Sequence, residues 1–293
     1  MRPMLHIAGC GRVGRTLARL WADAGVLEIG QVVNRSLASA EQAVRFIGHG
    51  RAVERFTGLD GDWLMLALPD GVLQARAEAL AGSVEPGPAV VFHVSGAESS
   101  ELLKPFGVPF AAIHPVCPFA DPASAIEYFA GSFAVGEGDP AALDRVLPVF
   151  EAIGARTLAF EPSDKRRYHA ATIAASNFLN VIDDLALGLA ESAGLARDQA
   201  LELITSLQRA GLAGIEARGP EAALTGPIER ADDRACRRIA RALACSTPRQ
   251  AELFATLSRA TVELAARKHP DKLDVYAEID RIFAGLAADR PGV

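Results

Sequence analysis

The sequence predicts an α/β protein, in which a doubly wound parallel sheet is followed by an all-helical half. Short apolar runs alternate with helical periodicity through the first half of the chain. A glycine-rich turn joins the first apolar run to the first helical segment, and strand-like runs stop near residue 160. We therefore predict two domains, residues 1–160 and residues 161–293.

The first domain should alternate strands with helices. Strands are predicted at residues 4–9, 28–34, 62–70, 89–96, 109–115, 132–137 and 155–160. Helices are predicted at residues 14–25, 38–48, 71–82 and 140–154. Because alternating strands and helices are joined by crossover connections, we expect the strands to run parallel to one another.

The second domain carries no strand signal. A long helix is predicted over residues 163–194, with Ser163 as its N-cap and Gly194 at its end. Thr225 and Pro227 should begin a later helix, because proline is favoured at the first helical position. These alanine-rich segments need apolar partners, which predicts a homodimer through the helical domain. The later helices are predicted near residues 197–217, 227–244, 248–267 and 272–288.

The stretch "GCGRVG" follows the first strand and opens the first helix, which is the context that a dinucleotide-binding turn requires. Its first glycine allows a tight turn, its second lets the backbone approach a pyrophosphate, and its third lets helix and strand pack closely. A glycine-rich turn without a ligand is the alternative. The predicted cofactor contacts here are Gly9, Gly11, Arg12, Val13 and Gly14.

The stretch "VVNRS" ends the second strand about twenty residues beyond the glycines, where an NAD-binding chain would carry an acid. Arg35 instead offers a planar cation to a 2′-phosphate, and Asn34 and Ser36 add neutral polar contacts. The expected cofactor is therefore NADP, although a solvated arginine in a loop is the alternative. Leu68 and Pro69 end the third strand and should flank the cofactor, a role that is compatible with simply ending the strand.

Polar residues follow two later strands and line one face of the long helix. Ser95 and His114 lie at strand ends on the ligand side of a parallel sheet, where a histidine suits proton transfer. His169 and Ser176 share a helix face, and Asn177 lies beside it. Each histidine could instead be structural, and the helical stripe could instead face solvent.

The chain resembles bacterial Rossmann-like proteins that carry a C-terminal helical domain of unknown function. These proteins are relatives of pyrroline-carboxylate reductase, of the deazaflavin-dependent NADP reductases, and of the phosphogluconate and β-hydroxyacid dehydrogenases. The resemblance covers most of the chain and rests on "GCGRVG", "LALPD", "HVSGA", "IHPVCPFADP", "DKRRYHAATIAASNFL" and "LTGPIERAD".

The resemblance implies a Rossmann domain followed by an all-helical domain, often paired as a dimer, and it implies no particular substrate. The dehydrogenase relatives usually place a lysine, with an asparagine four residues later, on the first long helix. Here His169 stands four residues after Lys165, so that pair is absent as such. His169 is the candidate to replace the lysine as the general acid.

The leading hypothesis is an NADP-dependent oxidoreductase that reduces a small carbonyl or imine. His169 would supply the proton, Ser176 or Asn177 would orient it, and Ser95 and His114 would line the opposite wall. One alternative is an NADP-binding sensor without turnover. Another is hydride transfer between NADP and a deazaflavin or flavin, which needs no general acid.

The net charge, the cysteines and the apolar runs of the chain limit the kinds of partner and the cellular location that we expect. The net charge of −6 argues against broad nucleic-acid binding. The four cysteines lack metal-ligand spacing, so we expect no metal and free thiols in a reducing compartment. The opening "MRPMLHIAGCG" leaves no room for a signal peptide, and no apolar run is expected to approach the roughly 18 residues of a membrane span. These features predict a cytoplasmic protein with a small-molecule substrate.

Overall fold

The computed structural model describes residues 2–59, 61–162 and 164–288. The chain divides into two units, Met1–Ser176 and Asn177–Val293. The sequence predicts the boundary at residue 160, whereas the first unit ends at Ser176. The first turns of the long helix therefore belong with the sheet. The predicted capping residue Ser163 lies outside the described residues.

The first unit contains an eight-stranded sheet with the order β3-β2-β1-β4-β5-β6-β7-β8. Its strands are β1 Met4–Ala8, β2 Glu28–Val33, β3 Arg51–Ala52, β4 Trp63–Leu66, β5 Val90–His93, β6 Phe110–Val116, β7 Phe133–Gly138 and β8 Arg156–Ala159. Its helices are α1 Arg12–Asp23, α2 Leu37–Ile47, α3 Asp70–Ala81, α4 Pro122–Tyr128 and α5 Pro140–Glu151, and a 3₁₀ helix spans Ser100–Phe106. The mostly parallel doubly wound sheet is confirmed.

One strand departs from the predicted parallel arrangement. β7 pairs with β6 in the antiparallel direction, with Ile113 opposite Gly136. The segment between β6 and β7 holds only the short helix α4, which returns the chain without a full crossover. The prediction that all strands are parallel is therefore wrong at this edge, whereas β1 to β6 follow it.

Apolar side chains from both sides of the sheet form the core of this unit. The indole of Trp21 on α1 is fully buried and packs edge-on against Phe150 of α5, with ring centroids 5.1 Å apart. Its Nε1 donates to the carbonyl of Val149 at 2.9 Å, so the one polar atom of the ring is satisfied. This packing joins the last turn of α1 to α5.

Helices make up the second unit. α6 Lys165–Ser192 runs into it from the first unit, and α7 Arg197–Ala223, α8 Asp233–Ala242, α9 Pro248–Lys268 and α10 Leu273–Ala288 follow. The predicted start at Thr225 and Pro227 is wrong. Asp232 caps α8 instead, because its carboxylate accepts from the backbone N–H of Ala235 at 2.9 Å.

The core of the second unit forms where α8, α9 and α10 meet. Tyr276, Ile279 and Phe283 of α10 are buried there against Val262 of α9. The hydroxyl of Tyr276 donates to the carbonyl of Glu229 at 2.8 Å, which satisfies the one polar atom of that ring.

α6 and α7 keep much of their apolar surface exposed. Among the described residues, α6 is long and apolar enough to cross a membrane by length and composition, with a mean hydropathy of 1.3 over its best window. That window is only 11% buried. The prediction that no apolar run approaches the length of a membrane span is therefore wrong for this helix. One such helix is weak evidence for a membrane span, because the buried core helix of a soluble protein passes the same test.

Candidate functional site

The glycine-rich turn forms an open loop between β1 and α1. Gly9 has a φ of +81°, and a Cβ there would lie 2.4 Å from Cδ2 of Leu68. A Cβ on Gly14 would meet the Cβ of Ala67 at 3.1 Å, whereas one on Gly11 would meet nothing within 4 Å. Two of the glycines therefore allow close packing, and Gly11 borders open space, as a pyrophosphate-binding turn requires.

The start of α1 carries unsatisfied backbone donors. Gly11 is the N-cap and supplies no side-chain acceptor, so the first-turn N–H groups remain available to an anion. Arg12 is exposed beside them, and its Nη1 donates to the carbonyl of Ala120 at 3.3 Å. Val13 packs partly buried against the core. Burial raises the pKa of the Cys10 thiol to about 12, although Arg15 opposes the shift, so Cys10 contributes a neutral side chain to the core beneath the loop.

Asn34 joins the glycine loop to the start of α2. Its Oδ1 accepts from the backbone N–H of Cys10 at 2.5 Å, and its Nδ2 donates to the carbonyl of Ser39 at 3.0 Å. Both ends of the amide are thus engaged within the protein. Asn34 therefore links the glycine loop to the end of β2 and sets the distance between them.

Arg35 and Ser36 lie at the N-terminus of α2. Ser36 caps the helix by accepting from the backbone N–H of Ser39 at 3.3 Å. Arg35 is exposed, and no hydrogen bond or ion pair holds its guanidinium in the part of the chain that the structure describes. An exposed cation thus stands beside a helix N-terminus, where a phosphate would be attracted.

Leu68 and Pro69 lie where the chain leaves β4. Leu68 packs against Gly9, and Pro69 is the N-cap of α3. Leu68 therefore stands beside the glycine loop, and contacts of Leu68 and Pro69 with a cofactor stay predictions.

His114 and His169 lie against each other, although they are 55 positions apart in sequence. His114 lies near the carboxyl end of β6, and His169 lies in the second turn of α6. Their ring centroids are 5.6 Å apart. Gly96 makes this possible. A Cβ on Gly96 would lie 2.5 Å from Nδ1 of His169 and 2.7 Å from Nε2 of His114.

The two rings have different environments. Nδ1 of His169 is buried and has no hydrogen-bond partner among the described residues. The hydroxyl of Tyr168 lies 2.9 Å from Nδ1 of His114 and donates to it when that nitrogen carries no proton. Burial, with smaller contributions from His169 and Lys165, lowers the pKa of His114 to about 4. His114 is therefore neutral at pH 7.

His93 supports the turn that carries Ser95 and Gly96. The backbone N–H of Ser95 donates to its Nδ1 at 3.2 Å, so the ring proton sits on Nε2 and is donated to the carbonyl of Ser99 at 3.2 Å. Burial lowers the pKa of this fully buried ring to about 4, and the charge of Lys165 adds to the effect. His93 is thus a neutral structural histidine.

Ser95 closes the turn rather than standing free. Its Oγ accepts from the backbone N–H groups of Ala97 and Glu98, at 3.1 and 3.0 Å. Its own O–H remains available as a donor.

A buried ion pair beside the histidines has no counterpart among the predicted site residues. Nζ of Lys165 donates to Oε1 of Glu137 on β7 at 2.8 Å. Ser100 donates to the same carboxylate through its backbone N–H at 2.8 Å and through its hydroxyl at 2.7 Å. No local pattern reveals Glu137, because its partners lie 28 and 37 positions away in the chain.

Ser176 and Asn177 lie further along α6 and are exposed. Ser176 is seven residues beyond His169, which is about 10 Å along a helix axis. It therefore shares the face of His169 without reaching its ring. Their roles beside a bound substrate stay predictions.

Two further features concern the residues that the structure describes. No group of three or more His, Cys, Asp or Glu side chains is arranged to hold a metal ion there. A cavity of about 690 Å³ opens at the amino ends of β1 and β2, the edge opposite the glycine loop. His6 lines it and is committed to structure, since its Nδ1 accepts from the backbone N–H of Gln31 and its Nε2 bonds to Asp62, both at 3.0 Å.

Solved structures share this fold. Protein TM1727 from Thermotoga maritima is 24% identical, with 97% of this chain and 98% of that chain covered and a TM-score of 0.63. BF3122 from Bacteroides fragilis, provisionally named an NADP oxidoreductase, is 20% identical over 88% and 97%, with a TM-score of 0.71. The 1-pyrroline-5-carboxylate reductase of Streptococcus pyogenes is 13% identical over 97% and 98%, with a TM-score of 0.57.

Family models match both halves of the sequence. A Rossmann-like domain matches residues 2–115, which include the glycine loop, Arg35, Gly96 and His114. The domain of unknown function DUF2520 matches residues 132–261, which include Glu137, Lys165 and His169. No curated protein matches the chain by sequence. The chain therefore joins a Rossmann-like domain to a domain of the DUF2520 family.

Proposed function

We propose that this protein is an oxidoreductase that uses NADPH to reduce a small carbonyl or imine substrate. One observation carries the proposal: an open phosphate-binding loop and a pair of facing histidines lie at the same edge of one parallel sheet. The loop follows β1, whereas His114 lies on β6, three strands away, with His169 of α6 against it. At about 4.8 Å per strand this is roughly 14 Å, a span that one dinucleotide can bridge.

The glycine geometry fits the cofactor. Gly11 leaves room for the pyrophosphate, the uncapped start of α1 offers it backbone donors, and Leu68 packs against Gly9 to close the loop from the side of β4. The nicotinamide would supply the hydride.

Arg35 supports NADP over NAD. Its guanidinium stands free of the described side chains at the N-terminus of α2, and no acid ends β2 to repel a 2′-phosphate. BF3122 of Bacteroides fragilis, which shares the fold, is named as an NADP oxidoreductase, which agrees with this choice.

The chemistry assigned to the chain is proton delivery. In this proposal, His169 donates a proton to the group that receives the hydride, and His114 and the Ser95 hydroxyl lie near the same point beside Gly96. Ser176 and Asn177, further along α6, would contact the substrate rather than the ring of His169.

Calorimetry and a turnover screen test the proposal together. We expect NADPH to bind more tightly than NADH, and NADPH oxidation with a member of a panel of small aldehydes, keto acids and imines. Oxidation only with a deazaflavin or flavin would replace the proposal with hydride exchange between cofactors. Tight NADPH binding without oxidation by any acceptor would indicate a sensor, and no binding of either nucleotide would overturn the proposal.

We also propose that the protein is a homodimer through its helical unit. Leu203, Leu207 and Leu212 of α7 are 56%, 70% and 57% exposed, which is unusual for leucines on one helix of a monomer. A second copy would supply apolar contacts for these three leucines. The four free cysteines suit a reducing compartment, so we propose a cytoplasmic location.

Sedimentation velocity at micromolar concentration tests the dimer. We expect the native protein to sediment as a dimer and Leu207→Glu to sediment as a monomer. Arg209→Glu introduces the same residue at an exposed position on the same helix and should stay dimeric. A monomeric native protein would contradict the proposal, and monomers that bind neutral lipid vesicles would assign the exposed leucines to a membrane.

A further inference from the structure

Gly96 holds a gap between two imidazoles. Nε2 of His114 and Nδ1 of His169 both lie within 2.7 Å of the position that a Cβ at residue 96 would occupy. Any other residue would force the rings apart. The absence of a side chain therefore brings two particular nitrogens, one from each ring, to the same place.

The buried nitrogen of His169 determines which form of the ring fits the structure. A charged imidazolium donates from both nitrogens, and Nδ1 here has no acceptor in the described residues. A buried donor without a partner is costly, whereas an unpaired ring acceptor costs less. The neutral ring with its proton on Nε2 is thus the form that this environment favours.

A neutral His169 cannot simply give its Nε2 proton away, because that would leave an imidazolate. It must receive a proton at Nδ1 as it releases the one on Nε2. The ring nitrogen that shares the gap is Nε2 of His114. His114 carries its proton there when the hydroxyl of Tyr168 donates to its Nδ1 across 2.9 Å.

We propose that Tyr168, His114 and His169 form a proton relay across Gly96, and that its substrate is a carbonyl compound. This inference rests on the proposed NADPH-dependent reduction and specifies its substrate class. The relay needs a small rotation of one ring to bring the two facing nitrogens into hydrogen-bond contact, for which Gly96 leaves the space.

The protons balance along the relay. The reduced carbonyl oxygen gains the Nε2 proton of His169, Nδ1 of His169 gains the Nε2 proton of His114, and Nδ1 of His114 gains the hydroxyl proton of Tyr168. Tyr168 is partly exposed and regains a proton from water. Both histidines end as neutral rings with the opposite tautomer, and no imidazolium forms.

The charges around the relay are consistent with neutral rings. The charge of Lys165 also disfavours a charged His114, less strongly than His169 does, and the ion pair of Lys165 with Glu137 offsets that effect. Asp70 acts on His114 in the opposite direction, and Glu98 acts on Lys165. Burial remains the largest influence on the pKa of His114 and keeps it uncharged.

The substrate class follows from the basicity of the product. Hydride addition to a carbonyl creates an alkoxide, a base strong enough to draw a proton through neutral rings. Hydride addition to a protonated imine gives a neutral amine and requires no proton at all. A neutral relay is therefore useful for a carbonyl and idle for an iminium ion.

Nitrogen-15 NMR of the histidine rings tests the relay without a substrate. In the native protein we expect His169 to be neutral with its proton on Nε2. Tyr168→Phe should change the ring signals of both His114 and His169. Tyr128→Phe is the matched control, because its hydroxyl donates to the carbonyl of Pro118 and should leave both rings unchanged. A proton on Nδ1 of His169, or His169 signals that ignore Tyr168→Phe, would overturn the relay.

Kinetics with paired substrates test the class. Tyr168→Phe should slow carbonyl reduction by about 10-fold or more, within the range of general acid catalysis, and leave reduction of a preformed cyclic iminium unchanged. Equal losses on both substrates would indicate a purely structural role. If the NMR result holds but no substrate leads to NADPH oxidation, the proposed function is wrong, whereas the coupling between the rings of His114 and His169 stands.

Discussion

Nζ of Lys165 and Oε1 of Glu137 lie 2.8 Å apart, and each side chain is about one-tenth exposed. This ion pair ties the first turn of α6 to β7, one helical turn before His169. A buried pair contributes little net stability compared with an apolar pair, but removing one partner leaves an uncompensated charge. Its main consequence is therefore the fixed position of the start of α6.

Glu137→Gln should destabilise the sheet unit by about 3–5 kcal/mol, because Lys165 would remain buried without its counter-charge. Urea unfolding, followed by the fluorescence of the buried tryptophans, measures the change. Glu137→Gln combined with Lys165→Met should recover much of the loss. Arg259→Met, which breaks an exposed ion pair with Asp280, should change the stability little and serves as the control. If Glu137→Gln were as stable as the native protein, Lys165 and Glu137 would not form a buried ion pair.

Stability should fall as the pH drops from neutral towards 4. His93 and His114 have pKa values near 4 in the folded protein, against about 6.5 when unfolded. Between these values the unfolded chain binds more protons, so stability is complete above about 6.5 and is lost as the pH falls. A shift of this size corresponds to roughly 3 kcal/mol for the fully buried His93 and less for His114.

Glu137 extends the loss to lower pH. Burial alone would raise its pKa, but the hydrogen bonds from Lys165 and Ser100 outweigh that effect and hold the pKa below its ordinary value. Its contribution is present above the unfolded pKa and disappears as the pH falls through the folded one. Urea midpoints between about pH 2 and pH 8 measure both effects, and His93→Gln should flatten the upper part of the curve. A midpoint independent of pH would contradict the burial of both histidines.

Arg35→Asp should weaken NADPH binding much more than NADH binding. It replaces an attraction with a repulsion at the 2′-phosphate, and loss of the charge-assisted contact alone costs about 1.5–3 kcal/mol, or roughly 10- to 150-fold in affinity. Arg45→Asp is the control, because it makes the same change at the far end of α2, about 15 Å away. Calorimetry that finds equal losses for both cofactors would remove Arg35 from the 2′-phosphate site.

The sequence predicted the parts of the fold that depend on local pattern. Alternating apolar runs and glycine signals located most of the strands and helices of the first unit, and Gly48 ends α2 with a φ of +82° as such a signal requires. The two-residue strand β3 and the short helix α4 escaped prediction, because neither is long enough to show a period. The direction of β7 also escaped, since strand direction depends on the connection rather than on the strand itself.

The sequence predicted only part of the candidate site, for a related reason. The glycine loop is contiguous in sequence and was located, as were His114 and His169 individually. Their contact could not be predicted, because it depends on Gly96 and on the placement of α6 against β6. The bonds from the amide of Asn34 to Cys10 and Ser39 could not be predicted either, and its contact with a cofactor stays a prediction. Tertiary packing decides which side chains meet when they are far apart in sequence, and local sequence patterns do not encode that packing.

His169→Ala should lower turnover by about 10²- to 10⁴-fold and leave the affinity for NADPH nearly unchanged, because the lost group acts on the substrate and not on the nucleotide. His49→Ala is the matched control, since His49 is exposed at the end of α2 and should keep full activity. Steady-state NADPH oxidation across pH, together with calorimetry, measures both quantities. An unchanged rate in His169→Ala would remove this side chain from the chemistry and favour hydride exchange with a second cofactor. A native rate that falls as the pH rises through neutrality would indicate that His169 donates as an imidazolium, whereas a level profile agrees with donation from a neutral ring.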